Sequence, residues 1–328
     1  MSALFSSSSA SPWHAGERAI QEQAGVAAQM EGVGQRVMRS FMPDQHREFF
    51  AQLPFLVVGS VDGEGSPWAS LLQGMPGFAT SPDPQRLDIA AQPVAGDPLA
   101  ETLHLGTRLG LLGIELPTRR RNRMNGRIIK MSGSGFSVAV EQSFGNCPQY
   151  IQARDYVDLS PAPEAVTVEP FLGLDEPARQ LIVESDTFFV ASAIPREDGG
   201  FDPDVSHRGG RPGFVRVDAD GTLTIPDYAG NRFFNTLGNL SVYPRAGLSF
   251  IDFHKGDLLQ LTGAASVVLN GSNAEMIEGV QRVWQVRPVR GRWLRNAVPL
   301  RFRFREFSPA SMRAGIWSES HRTVDRGS

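Results

Sequence analysis

The chain has 328 residues, and its 32 lysines and arginines against 35 aspartates and glutamates give a formal net charge of −3. This charge provides no overall attraction to nucleic acid or to an anionic membrane, so neither is expected as a partner. A single cysteine, Cys147, excludes an intramolecular disulfide framework and a cage of cysteines around zinc or an iron–sulfur cluster. The 34 glycines, 23 prolines and 20 phenylalanines favour short strands joined by turns, and the length favours two domains.

Neither end of the sequence carries a recognisable targeting signal. Residues 1–10 lack a basic start and contain a serine run at residues 6–9, and no segment reaches the ~18 apolar residues of a membrane span. We therefore expect a cytoplasmic protein. A tail and a helix are expected in residues 1–40, and a second tail in residues 319–328.

The first elements along the chain are predicted to be helices. The segment at residues 15–40 is rich in Ala, Gln and Glu, which favours helix, and it is interrupted at Gly25 and at the pair Gly32 and Gly34. A second short helix is expected over residues 43–50, where a proline and an aspartate precede the apolar positions.

The sequence then changes to β character. Residues 55–60, FLVVGS, predict a buried strand, residues 62–65, DGEG, a hairpin turn, and residues 68–72, WASLL, its return strand. Part of this segment is repeated, because eight residues recur 136 positions later in the same order. The pairs are Pro67/Pro203, Ser70/Ser206, Gly74/Gly210, Pro76/Pro212, Gly77/Gly213, Phe78/Phe214, Leu87/Leu223 and Ile89/Ile225.

This series of matches indicates that one β-rich unit is duplicated, since the period is too long for a solenoid repeat. Residues 110–116, GLLGIEL, also match residues 247–253, GLSFIDF, with one residue of slippage. We place a first unit at residues 41–160 and a second at residues 170–318, with a linker at residues 161–163. Short strands bounded by turns predict a mainly β fold with peripheral helices, built as two antiparallel barrels.

The second unit resembles a known family. The resemblance rests on DVSHRGGRPGFVRV at residues 204–217, TLTIPD at 222–227, GNRFFNTL at 230–237, YPRAGL at 243–248 and LQLTG at 259–263. These runs and their order are similar to the FMN-binding split barrel of the pyridoxamine 5′-phosphate oxidase superfamily. The resemblance implies two tandem split β-barrels and FMN as the cofactor.

Three further segments resemble a two-unit branch of this superfamily that is often fused to a flavin and 2Fe–2S reductase. They are WHAGE at residues 13–17, RRRNRMNGR at 119–127 and SFGNCPQYI at 143–151. In the first unit, GDP at residues 96–98 stands where the second unit has GNR at residues 230–232. The first copy is therefore expected to be degenerate, which predicts one good FMN site per chain.

The resemblance assigns the flavin phosphate to a turn and a neighbouring strand of the second unit. Arg232, with Asn231 and Asn235 where the turn leads into a helix, is expected to bind the phosphate. Ser206 and Arg208 on the neighbouring strand are expected to reach the same phosphate or the ribityl chain. The alternative for the turn is a simple helix cap.

Other residues of the second unit are assigned to the rest of the flavin. Phe214, Val215 and Arg216 are expected to run alongside the ring, and Asp227 to bind a ribityl hydroxyl. Arg216 alternates with Phe214 on a strand, so its alternative is an ordinary solvent-facing position. Asp227 follows a proline, and its alternative is a turn residue.

The first unit is expected to supply the opposing wall of the site or a substrate pocket. The residues assigned to it lie in two segments: Arg123, Asn125, Asn146, Cys147 and Gln149. The arginines around Arg123 bind a phosphate or an acidic substrate in one interpretation, and form a solvated edge strand in the other. Cys147 is either a reactive thiol or a structural cysteine, the second being favoured because no neighbouring base is apparent.

Other kinds of site are not indicated. The six histidines show no metal-ligand spacing, so no metal site is expected. There is no G-x-S-x-G elbow and no glycine-rich nucleotide fingerprint after a strand, so a nicotinamide would bind only transiently against the flavin. His207 lies between Ser206 and Arg208, and strand alternation predicts that it points away from both.

We therefore predict an FMN-dependent oxidoreductase that passes electrons from NAD(P)H or a partner reductase to a small organic acceptor or O₂. The alternatives are a flavin-binding carrier without turnover and a haem-binding split barrel. A small-molecule substrate is expected but not identified, and a homodimer is left open.

Overall fold

The structure is a computed structural model that describes residues 11–159, 165–268 and 277–317. Residues 1–10, the predicted linker at residues 161–163 and the predicted tail at residues 319–328 lie outside the described residues. The fold is mainly β with antiparallel sheets, as the sequence predicts.

The described chain begins with three helices, α1 (Ala15–Gln23), α2 (Ala27–Val37) and α3 (Asp44–Ala51). The predicted break at Gly25 is present, with a left-handed φ of +68° between α1 and α2. The predicted break at Gly32 and Gly34 is wrong, because α2 continues through both. Gly34 is required for packing there, since a Cβ on it would lie 2.7 Å from an atom of the Trp13 ring.

The first half of the described chain forms an antiparallel sheet and a short helix, α4 (Leu99–Thr102). Its strands are β1 (Phe55–Val61), β2 (Pro67–Gln73), β3 (Ala79–Asp83), β4 (Arg86–Ile89), β5 (Arg108–Glu115), β6 (Arg120–Ser132) and β7 (Gly135–Gly145). They pair in the order β2-β1-β5-β6-β7-β4-β3. The predicted hairpin is confirmed by the pairing of β1 with β2.

The second half repeats this strand order. After β8 (Ala153–Leu159), β9 (Thr167–Leu172) and α5 (Glu176–Glu184), its elements are β10 (Thr187–Pro195), β11 (Phe201–Gly209), β12 (Arg216–Val217), β13 (Leu223–Tyr228), α6 (Asn235–Val242), β14 (Arg245–Ile251), β15 (Leu258–Val268) and β16 (Val280–Arg295). The strands pair in the order β11-β10-β14-β15-β16-β13-β12, and β9 pairs with β16. Strand for strand, this order matches that of the first sheet.

A two-stranded ribbon ties the two halves together. β17 (Leu300–Glu306), which is followed by α7 (Pro309–Arg313), pairs with β8. On β8, the guanidinium of Arg154 forms a buried ion pair with Asp186, which precedes β10, at 2.7 Å. β8, which follows the first sheet in the chain, is therefore held by Asp186 just before the second sheet and by β17 just after it.

Buried side chains of the described residues form a core within each sheet and a further core between them. Phe188 and Trp284 lie at the centre of the second sheet's core, and Phe50 at that of the first. The shared core joins residues of both halves, such as Leu112 of β5 and Phe189 of β10. The two sheets therefore pack face to face over apolar side chains.

Matched glycines bring the backbones of the two sheets together. A Cβ on Gly110 of β5 would lie 2.7 Å from the Pro203 carbonyl oxygen of β11, and one on Gly247 of β14 would lie 2.3 Å from that of Pro67 of β2. Gly110 and Gly247 lie 137 positions apart in the sequence, and the two prolines 136. The repeat therefore extends to the contact between the sheets, where the approach is too close for a side chain.

A methyl group at either glycine is expected to weaken this contact. We expect Gly247→Ala and Gly110→Ala each to lower the free energy of unfolding by about 1–3 kcal/mol, the usual cost of overpacking. Urea unfolding followed by tryptophan fluorescence measures the change. Gly63→Ala is the control, because nothing lies within 4 Å of its Cβ position. Equal stability of all three variants would contradict a close contact between the sheets.

Candidate functional site

A polar cleft lies between β6 of the first half and β11 of the second. We call it the arginine cleft, after Arg121 and Arg123 of β6 and Arg208 of β11, which line it. Its volume is about 80 Å³, which suits a phosphate group or a few water molecules. The other predicted site residues that line it are Asn146, Ser206, Asp227, Asn231, Arg232 and Asn235.

The three arginines are held by different partners. Arg123 is only 3% exposed; its Nη1 donates to Oδ1 of Asp204 at 3.3 Å, and its Nη2 donates to the Ser206 hydroxyl. Arg208 donates through Nη1 to Oδ1 of Asp227 at 3.3 Å. Arg121 donates through Nε to the Cys147 carbonyl oxygen at 2.7 Å. Asp204 thus pairs with Arg123, and Asp227 pairs with Arg208 and lies 3.7 Å from Nη1 of Arg282.

Several buried polar atoms of the cleft have no hydrogen-bond partner among the described residues. They are Nε of Arg123, Nε of Arg208, Oδ1 of Asn146 and Nε2 of His207. Leaving a buried donor unpaired is costly, and most costly when the group is charged. Neither nitrogen is open to the cleft as it stands, so an oxyanion bound there would accept from both N–H groups after the arginine side chains shift toward it.

Burial and mutual repulsion lower the pKa of two cleft arginines, Arg121 and Arg208. Burial is the main cause that lowers the pKa of Arg121, to about 10, and the charges of Arg208 and Arg123 lower it further. Burial also lowers the pKa of Arg208, which Asp227 raises in part, and burial raises the pKa of Asp227 itself. A bound anion favours the charged form of a guanidinium, so it would relieve both arginine shifts.

The start of α6 forms one end of the cleft. Arg232 and Phe234 have left-handed φ angles of +63° and +60°, and the Asn231 side chain accepts from the Phe233 N–H at 3.2 Å. Phe234 provides no side-chain cap, so the first N–H groups of α6 have no capping partner. Such N–H groups attract anions. The predicted phosphate-binding turn is therefore placed at the cleft.

An aromatic lobe, defined by Tyr150, Phe214 and Tyr228, continues the arginine cleft, and its volume is also about 80 Å³. The rings of Tyr150 and Tyr228 stack with their centroids 5.2 Å apart. The predicted residues Cys147 and Gln149 line this lobe. Arg121, His207 and Arg208 line both spaces, so the two are adjacent, and we call them together the groove.

Three residues predicted from the sequence do not line the arginine cleft or the aromatic lobe. Val215 is 1% exposed and belongs to the core of the second sheet. Arg216 pairs with Asp218 at 2.7 Å, and its guanidinium lies over the Trp317 ring at 4.3 Å. Asn125 donates to Asp204 at 2.6 Å and faces a neighbouring cavity.

His207 is on the opposite face of β11 from Ser206 and Arg208, as strand alternation predicts, but it still lines the cleft. Its Nδ1 is 3.3 Å from Nη1 of Arg121, and its ring meets that of Phe189 edge-on at 5.8 Å. Arg121 reaches across from β6, so the cleft encloses His207 as well as its two neighbours on β11. Burial is the main cause that lowers the pKa of His207 well below its usual range, and Arg121 and Arg208 add to the shift. The imidazole is therefore neutral at pH 7.

The site also includes residues to which the sequence alone assigned no role, although two of them, His14 and Glu17, belong to the WHAGE segment. Thr236 donates to the Ser206 hydroxyl at 3.2 Å. Glu17 of α1 accepts a hydrogen bond from the Asn235 amide, and it is only 4% exposed. His14, just before α1, contacts Oδ1 of Asn239 through Nε2 at 2.8 Å. Only the tertiary structure reveals these partners, because α1 lies far from α6 in the sequence.

Glu17 is a buried acid beside the cleft. It lines a cavity of about 250 Å³ together with His14, Asn125, Asp204 and Asn235. Burial is the main cause that raises its pKa to about 8, and the negative charge of Asp204 adds to the shift. Glu17 is therefore mostly protonated at pH 7, which adds no negative charge beside the arginine cleft.

Some kinds of site are not seen in the described residues. Within residues 11–159, 165–268 and 277–317, no three His, Cys, Asp or Glu side chains gather as metal ligands. No helix in the same ranges is long and apolar enough to cross a membrane.

Comparisons with known proteins do not assign a family. No family profile and no curated protein matches the sequence. Among solved structures, the haem storage protein HutZ from Vibrio cholerae is 17% identical, with a TM-score of 0.25 over 38% of this chain and 96% of that one. A Clostridium acetobutylicum protein related to general stress protein 26 of B. subtilis (pyridoxine phosphate oxidase family) is 16% identical, with a TM-score of 0.27 over 39% of this chain and 92% of that one.

HupZ from Group A Streptococcus is 15% identical, with a TM-score of 0.28 over 35% of this chain and 89% of that one. TM-scores this low carry no functional conclusion. The site is therefore interpreted from its own residues.

The buried Glu17 predicts a pH-dependent stability. Its pKa of about 8 in the folded chain lies above the ordinary value of 4.5. Its contribution to the free energy of unfolding is therefore full below pH 4.5 and is lost as the pH rises to 8. The loss is on the order of 4 kcal/mol. Urea unfolding at pH 5 and pH 8 measures it, and we expect the difference to shrink in Glu17→Gln. Glu22→Gln, at an exposed position of α1, should behave as the wild type; an unchanged difference in Glu17→Gln contradicts the assignment.

Proposed function

We propose that this chain binds FMN, with the flavin phosphate in the arginine cleft, and acts as an FMN-dependent oxidoreductase. The observation that carries the proposal is the pair of buried guanidinium N–H groups, on Arg123 and Arg208, without a partner among the described residues. A phosphate dianion is an acceptor that satisfies several such donors at once. The sequence resemblance of residues 204–263 supplies the identity of the phosphate ligand.

Each end of the flavin has candidate partners in the groove. The phosphate would accept from Arg123, Arg208 and the Ser206 hydroxyl, and from the free N–H groups at the start of α6. Arg232 at the mouth adds a further positive charge. Asp227 carries an acceptor oxygen for a ribityl hydroxyl, although Arg208 already engages it.

The ring would lie at the aromatic lobe. This lobe is smaller than a three-ring system, so we propose that Tyr150 separates from Tyr228 when the ring binds. Arg121 lies between the two parts of the groove, where its charge favours an anionic reduced ring. When bound, FMN supplies hydride and electron transfer from NAD(P)H or a partner reductase to a small organic acceptor or O₂.

The duplicated fold accounts for the position of this site. We propose that residues 41–160 and 170–318 are two copies of one split barrel, packed so that each copy completes the other. Arg121, Arg123 and Asn146 come from the first copy, and Ser206 and Arg208 from the second. In this arrangement, one chain forms a site of the kind that two separate subunits would otherwise form at a dimer interface.

Haem binding is the second candidate, because of His207. Its Nε2 is buried and has no hydrogen-bond partner among the described residues, and its imidazole is neutral, the state that binds a metal. A flavin carrier without turnover is the third candidate and uses the same groove as the enzyme.

The absorption spectrum of the purified protein, before and after addition of FMN, tests the proposal. We expect oxidised-flavin bands, one FMN released per chain on denaturation, and anaerobic bleaching by NADH, NADPH or a chemical reductant that mimics a partner reductase. A Soret band would assign the site to haem. Bleaching by the chemical reductant without turnover of any acceptor favours the carrier, and two FMN per chain contradicts a single site.

Removal of one cleft arginine is expected to weaken FMN binding strongly. A hydrogen bond to a charged group contributes about 1.5–3 kcal/mol, so Arg123→Gln should raise the Kd for FMN roughly 10- to 150-fold. Fluorescence quenching of FMN measures the Kd. Arg127→Gln, on the same strand but exposed, is the matched control and should bind as the wild type. Riboflavin has no phosphate, so its Kd should differ between the two variants far less than the Kd for FMN does.

A further inference from the structure

The two halves contain matched polar contacts at equivalent positions of the repeat. Ser206 is the counterpart of Ser70, 136 positions earlier, and Gln260 is the counterpart of Arg123, 137 positions later. Ser70 lies opposite Val58 in the β1–β2 hairpin, as Ser206 lies opposite Val190 in β10–β11. The serines therefore occupy the same place in each sheet.

In both places, the long side chain comes from the other half of the molecule. Arg123 of β6 donates to the Ser206 hydroxyl, and Gln260 of β15 donates through Nε2 to the Ser70 hydroxyl at 3.3 Å. The two contacts are thus related by the exchange of the halves. One of them lines the open arginine cleft, whereas the other is fully buried, with Ser70 and Gln260 both 0% exposed.

The buried contact holds an anion that belongs to the chain. Oδ1 of Asp97 accepts from the Ser70 hydroxyl at 2.5 Å, and its Oδ2 accepts from Nε2 of Gln260 at 3.1 Å. Asp97 is 1% exposed, and burial raises its pKa to about 6, while its hydrogen bonds and the charge of Arg292 oppose the shift, so it is mostly ionised at pH 7. A carboxylate therefore sits between the serine and the residue that replaces Arg123.

The residue that corresponds to Asp97 in the second half is uncharged. Asp97 follows Gly96 and accepts from the Leu99 N–H at 2.8 Å; Asn231 follows Gly230 and accepts from the Phe233 N–H at 3.2 Å. Both side chains accept from the N–H two residues on, although the backbones differ, with φ of −56° at Pro98 and +63° at Arg232. In the second half, however, the serine contacts Arg123 and Thr236 and no carboxylate of this turn.

We propose that Asp97 is the built-in occupant of a second oxyanion site, and that a phosphate bound at Ser206 takes the place that Asp97 takes at Ser70. The first part stands on the contacts of Asp97 alone; the second part rests on the proposed function. We call the place at Ser70 and Gln260 the closed site. Its ligand, once Asp97 is removed, is a small oxyanion such as phosphate. The molecule then has two equivalent anion sites, of which one is filled by its own carboxylate.

Shortening Asp97 tests the first part. In Asp97→Gly, we expect inorganic phosphate, compared with chloride at the same ionic strength, to raise Tm by at least about 3 °C more than in the wild type. If Asp97→Gly does not fold, Asp97→Ser makes the same comparison, because its hydroxyl still accepts from the Leu99 N–H. Adding Ser70→Ala to either variant should abolish the extra shift.

The outcomes separate this inference from the proposed function. An extra phosphate shift in the Asp97 variant supports the closed site, even if the wild type binds neither phosphate nor FMN. Equal shifts in variant and wild type overturn it, and so does an extra shift that persists without the Ser70 hydroxyl.

Placing a carboxylate in the second half tests the second part. We expect Asn231→Asp to weaken FMN binding more than 10-fold beyond the effect of Asn146→Asp, which adds the same charge elsewhere in the cleft. Equal losses in the two variants mean general repulsion and overturn the second part. If the wild type binds no FMN, the second part fails together with the proposed function, and the first part is unaffected.

Discussion

The buried charge of Arg123 is the constraint on which the arrangement of the two halves depends. At 3% exposure, a guanidinium without partners is very unfavourable, and the partners of Arg123, Asp204 and Ser206, lie on the other half. The sheets must therefore pack in one register, which the close contacts at Gly110 and Gly247 allow. The arginine cleft is a consequence of that register, since neither half lines it alone.

Local sequence patterns predicted much of this fold and part of the site. The 136-residue repeat predicted two similar units, and the structure brings the turn ahead of α6, Ser206 and Arg208 to one cleft. These features depend on residues close together in the chain or on a repeat that the sequence displays. Arg216 was assigned to the flavin ring, but β12 is only two residues long, and its side chain turns to Asp218. Such a short strand does not fix the direction of a side chain.

The remaining site residues depend on contacts between distant segments. Arg121 enters the cleft because its side chain reaches from β6 to β11. Glu17 lies beside the cleft because α1 packs on α6, where a Cβ on Gly16 would lie 2.3 Å from the Gly238 carbonyl oxygen. No local pattern encodes these contacts. Alternation correctly predicts the face on which His207 lies, but it does not predict that Arg121 of β6 reaches the imidazole there.

The electrostatics of the groove favour a phosphate over a metal centre. Nη1 of Arg121 lies 3.3 Å from Nδ1 of His207, and the charges of Arg121 and Arg208 both lower the pKa of this imidazole. The field that disfavours a proton on His207 also disfavours a metal cation at its Nε2, whereas it stabilises an oxyanion nearby. At the matching place beside Ser70, the position of Arg123 is taken by the neutral Gln260 of the second half. The carboxylate of Asp97 accepts hydrogen bonds from both Gln260 and Ser70 there. At the arginine cleft, Asp204 and Asp227 leave the Nε–H groups of Arg123 and Arg208 without a partner among the described residues, and the phosphate that we propose would pair with them.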